Sequence, residues 1–338
     1  MGMFRLKLKR HREADEFEGS TEELFGEIQA LTERNRDAQD PETEREIMRL
    51  RHLAGIRLLD DAPPDPAFPE PAANRLPEAE GLPDIAAADL TPEQLRAGIL
   101  RDGCVLVRGL VPRDAAEALA RGIDRSFAER ERGDAAAPGW YEEFEPHPRF
   151  GPVKERPWIK EGGGVLGLDA PTLSFEMLEL FEAGGISRLV AGYLGEPALI
   201  SVQKTTLRKA EPTVGGAWHQ DGAFMGNVRS LNLWLALSRC GDEAPGLDIV
   251  PRRLDEFAPR GTDDALIDIQ VSQRAVEAAA AGVPIVRPIF EPGDAVWCKH
   301  ISSKNTASDP SMPNPRFAIE NWFFGGSAFP ADYAPVAV

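Results

Sequence analysis

Between residues 199 and 324 the apolar runs are short and are broken by Gly and Pro. This rhythm restricts the fold more than any other feature of the chain. Leu199-Ile200-Ser201-Val202-Gln203-Lys204-Thr205-Thr206-Leu207 alternates as a strand does. Residues 228–237, 285–290, 295–300 and 316–324 read as further strands. Several short strands joined by Gly/Pro turns suit a jelly roll. The expected class is mainly β with flanking helices, around a jelly-roll core.

Upstream the period changes. Leu24, Ile28 and Leu31, then Ile47, Leu50 and Leu53, recur every three or four residues with charges between them. Ser20-Thr21-Glu22-Glu23 offers a cap with acids in the first turn. Asp40-Pro41 divides the region into two helices. Residues 1–61 therefore read as an N-terminal helical extension, packed on the main domain or forming a homodimer contact. His52 falls inside it as a structural residue.

Residues 62–90 are rich in Pro, Ala and Glu and read as a linker before a main domain over 91–338. Thr91-Pro92-Glu93-Gln94 is a capping box, and its helix should stop at Gly103. A short strand over 104–110 and a helix over 114–132 follow, then helix over 171–194. Residues 135–167 are Gly-dense and aromatic, and read as a loop over the barrel mouth, with His147 as a surface residue or substrate contact. Residues 275–282 read as a small helix or loop insertion.

The 338-residue chain is 42% hydrophobic and 28% charged, ordinary for a globular protein. Its net charge of −17 disfavours nucleic acid and anionic membranes as partners. The basic run from Arg5 to Arg12 reads as a solvated tail. No apolar run of about 18 residues predicts a membrane span. Cys104, Cys240 and Cys298 are scattered, which predicts reduced thiols and a cytoplasmic protein.

The chemistry-bearing stretch is Ala217-Trp218-His219-Gln220-Asp221-Gly222-Ala223-Phe224. On extended backbone, residues i and i+2 point the same way. His219 and Asp221 can therefore reach one metal ion, and one further His would complete a two-His-one-carboxylate site. The bland alternative is a strand end with Asp221-Gly222 making a turn.

Residues 218–224, then Ser230-Leu231-Asn232-Leu233-Trp234-Leu235-Ala236-Leu237 and Ala244-Pro245-Gly246-Leu247-Asp248-Ile249-Val250-Pro251, resemble the phytanoyl-CoA dioxygenase-like family. The similarity resumes at Phe290-Glu291-Pro292-Gly293-Asp294-Ala295 and Pro315-Arg316-Phe317-Ala318-Ile319-Glu320. It covers roughly residues 90–330, with the motifs in the family's order. The resemblance implies a double-stranded β-helix (cupin-like) core, Fe(II) and 2-oxoglutarate as cofactors, and oxidation of a small-molecule metabolite. It implies His219 and Asp221 as catalytic metal ligands and Arg316 as the cation for the distal carboxylate of 2-oxoglutarate. Thr306 matches the adjacent hydroxyl, Trp234 a pocket-lining aromatic, and Gln203 a residue facing the site.

One departure stands out. Aligning on Asp309-Pro310 and Arg316 puts Lys304 where the family has its second metal His. Of the five histidines (His11, His52, His147, His219, His300), only His300 lies downstream of the pair, four residues early. Four residues of strand cover about 13 Å, so His300 needs a rebuilt strand to reach the metal. Lys304 as a neutral amine costs about 4.6 kcal/mol at pH 7. A two-residue site completed by water and 2-oxoglutarate is a third arrangement. In a fourth no iron is held, and the Lys304 ammonium pairs with Asp221. The last makes the protein a pseudo-oxygenase, a binding or scaffold protein, or an enzyme of iron-independent chemistry.

Overall fold

The computed structural model describes residues 17–78, 81–213, 216–262, 270–299 and 304–338. The N-terminal basic run and His300 lie outside them. Two antiparallel-packed helices come first, α1 (Thr21–Ala38) and α2 (Pro41–Asp60). Ser20 and Glu23 close a capping box on α1: the Glu23 N–H donates to Ser20 Oγ at 3.1 Å and the Ser20 N–H to Glu23 Oε2 at 2.7 Å. Asp40 caps α2 directly before Pro41. Among the described residues, the linker region holds one 3-10 turn (Ala73–Arg75) before β1 (Asp84–Ala86).

Helix α3 (Pro92–Asp102) carries the Thr91/Gln94 capping box and ends on Gly103 at φ +78°, where Gly alone is unstrained. Then come β2 (Cys104–Arg108), α4 (Arg113–Arg132), the short α5 (Arg156–Glu161) and β3 (Gly164–Leu166). The expected helix over 171–194 is two, α6 (Pro171–Ala183) and α7 (Ile186–Leu194), because Gly185 turns left-handed at φ +68°. The remainder is β4 (Ala198–Ala210), β5 (Ser230–Ala236), β6 (Gly246–Ile249), α8 (Gln273–Ala280), β7 (Ala295–Cys298), β8 (Lys304–Ala307), β9 (Arg316–Gly325) and β10 (Pro335–Ala337).

One large mixed sheet runs β1-β2-β7-β5-β9-β4-β10, with β3 also paired to β4; β6 and β8 form a second, two-stranded sheet. Among the described strand pairs only β1–β2 is parallel. The architecture is mixed α/β rather than mainly β, since helical residues outnumber strand residues among those described. The expected strand at 285–290 shrinks to isolated bridges at Val286 and Phe290. Pro284 and Pro288 lack the N–H that a ladder needs.

The two faces of the large sheet differ. Leu231, Leu233, Leu235, Trp297, Ile319 and Phe323 point to one face and share a single core with Leu24, Ile47, Leu119 and Phe181 of the helices. Each fully buried side chain of this kind contributes roughly 1.5–3 kcal/mol. The opposite face carries the alternate residues: Trp234 sits across from Glu320, and Asn232 from Trp322. This inner face looks toward the small sheet, whose Leu247 and Ile249 pack with Trp234, Phe290, Val296 and Ala318. Charged side chains occupy the same inner face, and they define the site.

Candidate active site

The segment around His219 is pinned from both sides. Trp218 is buried with Val250, Val271 and Val276, and its Nε1–H donates to Gln273 Oε1 at 2.9 Å. Gln220 is buried and accepts the Ala258 N–H at 2.7 Å. The alternation puts His219 and Asp221 on the other side. Gln220 is extended (φ −129°, ψ 105°), and a 3-10 turn over Asp221–Phe224 follows at once.

The ring and the carboxylate face one another. His219 Nδ1 lies 2.8 Å from the Ala217 carbonyl. A carbonyl only accepts, so Nδ1 carries the hydrogen and the neutral ring keeps its lone pair on Nε2. Nε2 is 3.8 Å from Asp221 Oδ2. Ligands bound to one ion at about 2.1 Å each can be no more than about 4.2 Å apart, so this pair fits a shared ion. One imidazole and one carboxylate are two of the three protein ligands of a two-His-one-carboxylate site. Among the described residues no group of three or more His, Cys, Asp and Glu is placed to hold a metal. His300 lies outside those residues. Of Lys304 only the backbone is described, opposite Ile249 in the small sheet.

A cation does stand beside Asp221, but it comes from Lys204. Lys204 Nζ is 3.3 Å from Asp221 Oδ1, with the two side chains 19% and 14% exposed. Burial lowers the Lys204 pKa, yet Asp221, Tyr333 and Glu320 together outweigh it and hold it above the ordinary lysine value. The β4–β9 register breaks between Ile200 and Thr205. Such a bulge re-aims the side chains within it. Ser201 fixes it: its Oγ accepts the Lys204 N–H at 3.1 Å and its carbonyl accepts Thr205 Oγ1–H at 3.0 Å.

Gln203, expected to face the site, has another task. Its Oε1 accepts the Ala334 N–H at 3.0 Å and ties β4 to the segment before β10.

Arg316 opens β9 on the inner face, 4% exposed. Its Nη1–H donates to the Gly246 carbonyl at 3.0 Å and the Pro245 carbonyl at 3.4 Å. Its guanidinium carbon lies 5.4 Å from the Trp234 ring centre, a cation–π contact. Its buried Nε has no hydrogen-bond partner among the described residues. Burial pushes its pKa down to about 10, which leaves it charged at pH 7. Thr306 sits opposite Leu247, so it shares the inward side of the small sheet. Cys240 lies close by, and burial pushes its thiol up to about 12, a poor nucleophile at neutral pH.

The expected loop over residues 135–167 holds the short helix α5 and the strand β3, which pairs with β4. Arg208 donates to the Gly162 carbonyl at 3.2 Å and pairs with Glu320 at 3.6 Å. His147 donates its backbone N–H to His52 Nε2 at 2.9 Å, and its Nδ1 accepts the Arg149 N–H. His52 Nδ1 in turn reaches the Pro335 carbonyl at 2.6 Å, so His52 is structural. No helix among the described residues is long and apolar enough to cross a membrane.

No family model matches the chain, and no curated protein does. Solved structures do match in fold. The apo form of EctD from S. alaskensis aligns with a TM-score of 0.52 at 15% identity, covering 82% of this chain and 96% of that one. AviO1 from Streptomyces viridochromogenes Tue57 aligns at 0.45 and 22% identity, over 69% of this chain and 94% of that one. SnoN, a non-heme alpha ketoglutarate dependent epimerase from nogalamycin biosynthesis, aligns at 0.44 and 20% identity, over 69% and 82%. Structures of EctD hold iron or 2-oxoglutarate, and one of SnoN holds Fe3+ and alpha ketoglutarate. The EctD alignment gives the chain the fold of EctD, built here as a large mixed sheet with a two-stranded second sheet.

Proposed function

We propose that the protein is a non-haem Fe(II)/2-oxoglutarate-dependent oxygenase that hydroxylates a small-molecule metabolite. The observation that carries this reading is the approach of His219 Nε2 to Asp221 Oδ2 at 3.8 Å on the inner face of the sheet. His219 and Asp221 would hold the metal, and the Ala217 carbonyl keeps the imidazole in the ligating tautomer. Arg316 would take the distal carboxylate of 2-oxoglutarate through its planar fork, with the Thr306 hydroxyl beside it. Trp234 lies against the guanidinium and excludes water from that contact. Fe(II) with 2-oxoglutarate would supply oxygen activation and removal of hydrogen from a C–H bond.

The test is succinate release from 2-oxoglutarate in the presence of Fe(II). Wild type should turn over 2-oxoglutarate and His219→Ala should not. Absence of iron binding at micromolar concentration in the wild-type protein with 2-oxoglutarate present rules the proposal out.

A second reading is a metal-free binding protein on an oxygenase fold. It draws support from the Lys204 ammonium already seated on Asp221. Iron occupancy in the purified protein separates the two. Lys304→His gives a second check: gain of metal binding and 2-oxoglutarate consumption, where the natural protein has neither, favours the second reading.

A further inference from the structure

We propose that Lys204 is a resident counter-cation of the His219–Asp221 pair, holding Asp221 in the metal-free protein and keeping the site's affinity for divalent ions low. The inference rests on the oxygenase reading.

The two partners of Asp221 use different oxygens. Lys204 Nζ lies on Oδ1 at 3.3 Å, and His219 Nε2 faces Oδ2 at 3.8 Å. The ammonium therefore does not block the ligand oxygen. It acts by charge: an incoming divalent ion meets a neutralised carboxylate and a like charge close by. In a partly buried site such forces exceed their value in water.

The placement of Lys204 is built rather than incidental. Its backbone lies in the β4 bulge, tied to Ser201, and the hydroxyl of the next residue, Thr205, lies 2.9 Å from the side-chain amide of Asn321 on β9. Glu320, the other acid acting on Lys204, already pairs with Arg208. Tyr333 is the remaining group that faces it. The acid in hydrogen-bond contact with the Lys204 ammonium is thus Asp221.

The experiment is calorimetric titration of Mn(II) into the full-length protein without 2-oxoglutarate, with thermal unfolding of each metal-free form. Lys204→Met should bind Mn(II) at least tenfold more tightly than wild type, and its metal-free form should melt at a lower temperature. Lys204→Arg, which keeps the charge, should match wild type, and His219→Ala should abolish binding. Lys204→Gln provides the same uncharged comparison if Lys204→Met is insoluble. Equal or weaker Mn(II) binding by the uncharged variants, with wild type still binding, overturns the role of Lys204 and leaves the oxygenase reading intact. Failure of every form to bind, also once 2-oxoglutarate is added, overturns both.

Discussion

Arg316 and Lys204 are both cations withdrawn into the same interior, and the fold treats them differently. Lys204 has a carboxylate at 3.3 Å. Arg316 has two backbone carbonyls, an indole face and a buried Nε without a hydrogen-bond partner among the described residues. One charge has a carboxylate in contact, while the other, among the described residues, touches only dipoles and feels Glu320 from a distance. Burying a charge on dipoles costs stability. A protein that retains such a charge gains when an anion arrives. On the proposed oxygenase reading, the contrast separates a charge already paired within the chain from one that an incoming anion would satisfy.

The largest effect should come from breaking the charge pair. Asp221→Asn strands the Lys204 ammonium and should destabilise the metal-free protein by about 3 kcal/mol in urea unfolding. Adding Lys204→Met should return most of that loss. Independent, additive costs would show that the two groups are not coupled.

The opposite response is expected at Arg316. Arg316→Met removes a buried charge with no carboxylate in contact among the described residues and should leave the metal-free protein more stable by about 1–3 kcal/mol. 2-Oxoglutarate should raise the melting temperature of wild type and leave that of Arg316→Met unmoved. Arg316→Lys should keep a smaller rise, because a point charge lacks the fork. An equal rise in all three would place the dicarboxylate elsewhere.

Alkali should pull the two cations apart, at up to about 1.4 kcal/mol per pH unit for each proton. Lys204 is held above its ordinary 10.5, so its contribution is full below that value and is lost as pH climbs through the folded value. Arg316 falls from its ordinary value to about 10, so above that pH the unfolded chain keeps a proton that the folded one releases. Its term therefore gains stability as pH rises above about 10. Wild type minus Lys204→Met should show a falling difference above pH 10.5, and wild type minus Arg316→Met a rising one above pH 10. Slopes of the same sign would contradict the contrast.

The smallest effect tests the neighbour of Lys204. Gln203→Leu leaves the Ala334 N–H without its acceptor and should cost about 1–2 kcal/mol, with 2-oxoglutarate affinity unchanged. A loss of that affinity would return Gln203 to the cofactor set.

How legible this was depends on locality. His219 and Asp221 are two residues apart on extended backbone, so their convergence follows from strand geometry. The capping boxes at Ser20 and Thr91 are likewise local and mark helix starts within a residue. Lys204 is different. It lies 17 residues before Asp221 and reaches it through a break in register that alternation does not announce. The ammonium beside Asp221 was anticipated from Lys304, whose side chain lies outside the described residues. A bulge also explains Gln203, since the residue expected on the inner face serves Ala334 instead. Every described helix except the short α5 is marked locally in the sequence; the mixed α/β class follows from their summed length, which exceeds that of the strands.

The His52 imidazole gives the molecule a mechanical property. A single small ring on α2 grips the loop at His147, 95 residues away, and the final strand at Pro335, 283 residues away. Gly55 beside it lets the Pro335 backbone approach so closely that a methyl group would collide with it. The segment at His147 and the strand at Pro335 therefore hang from one pin. Any displacement of the segment at His147 has to strain that pin, and through it the N-terminal helices.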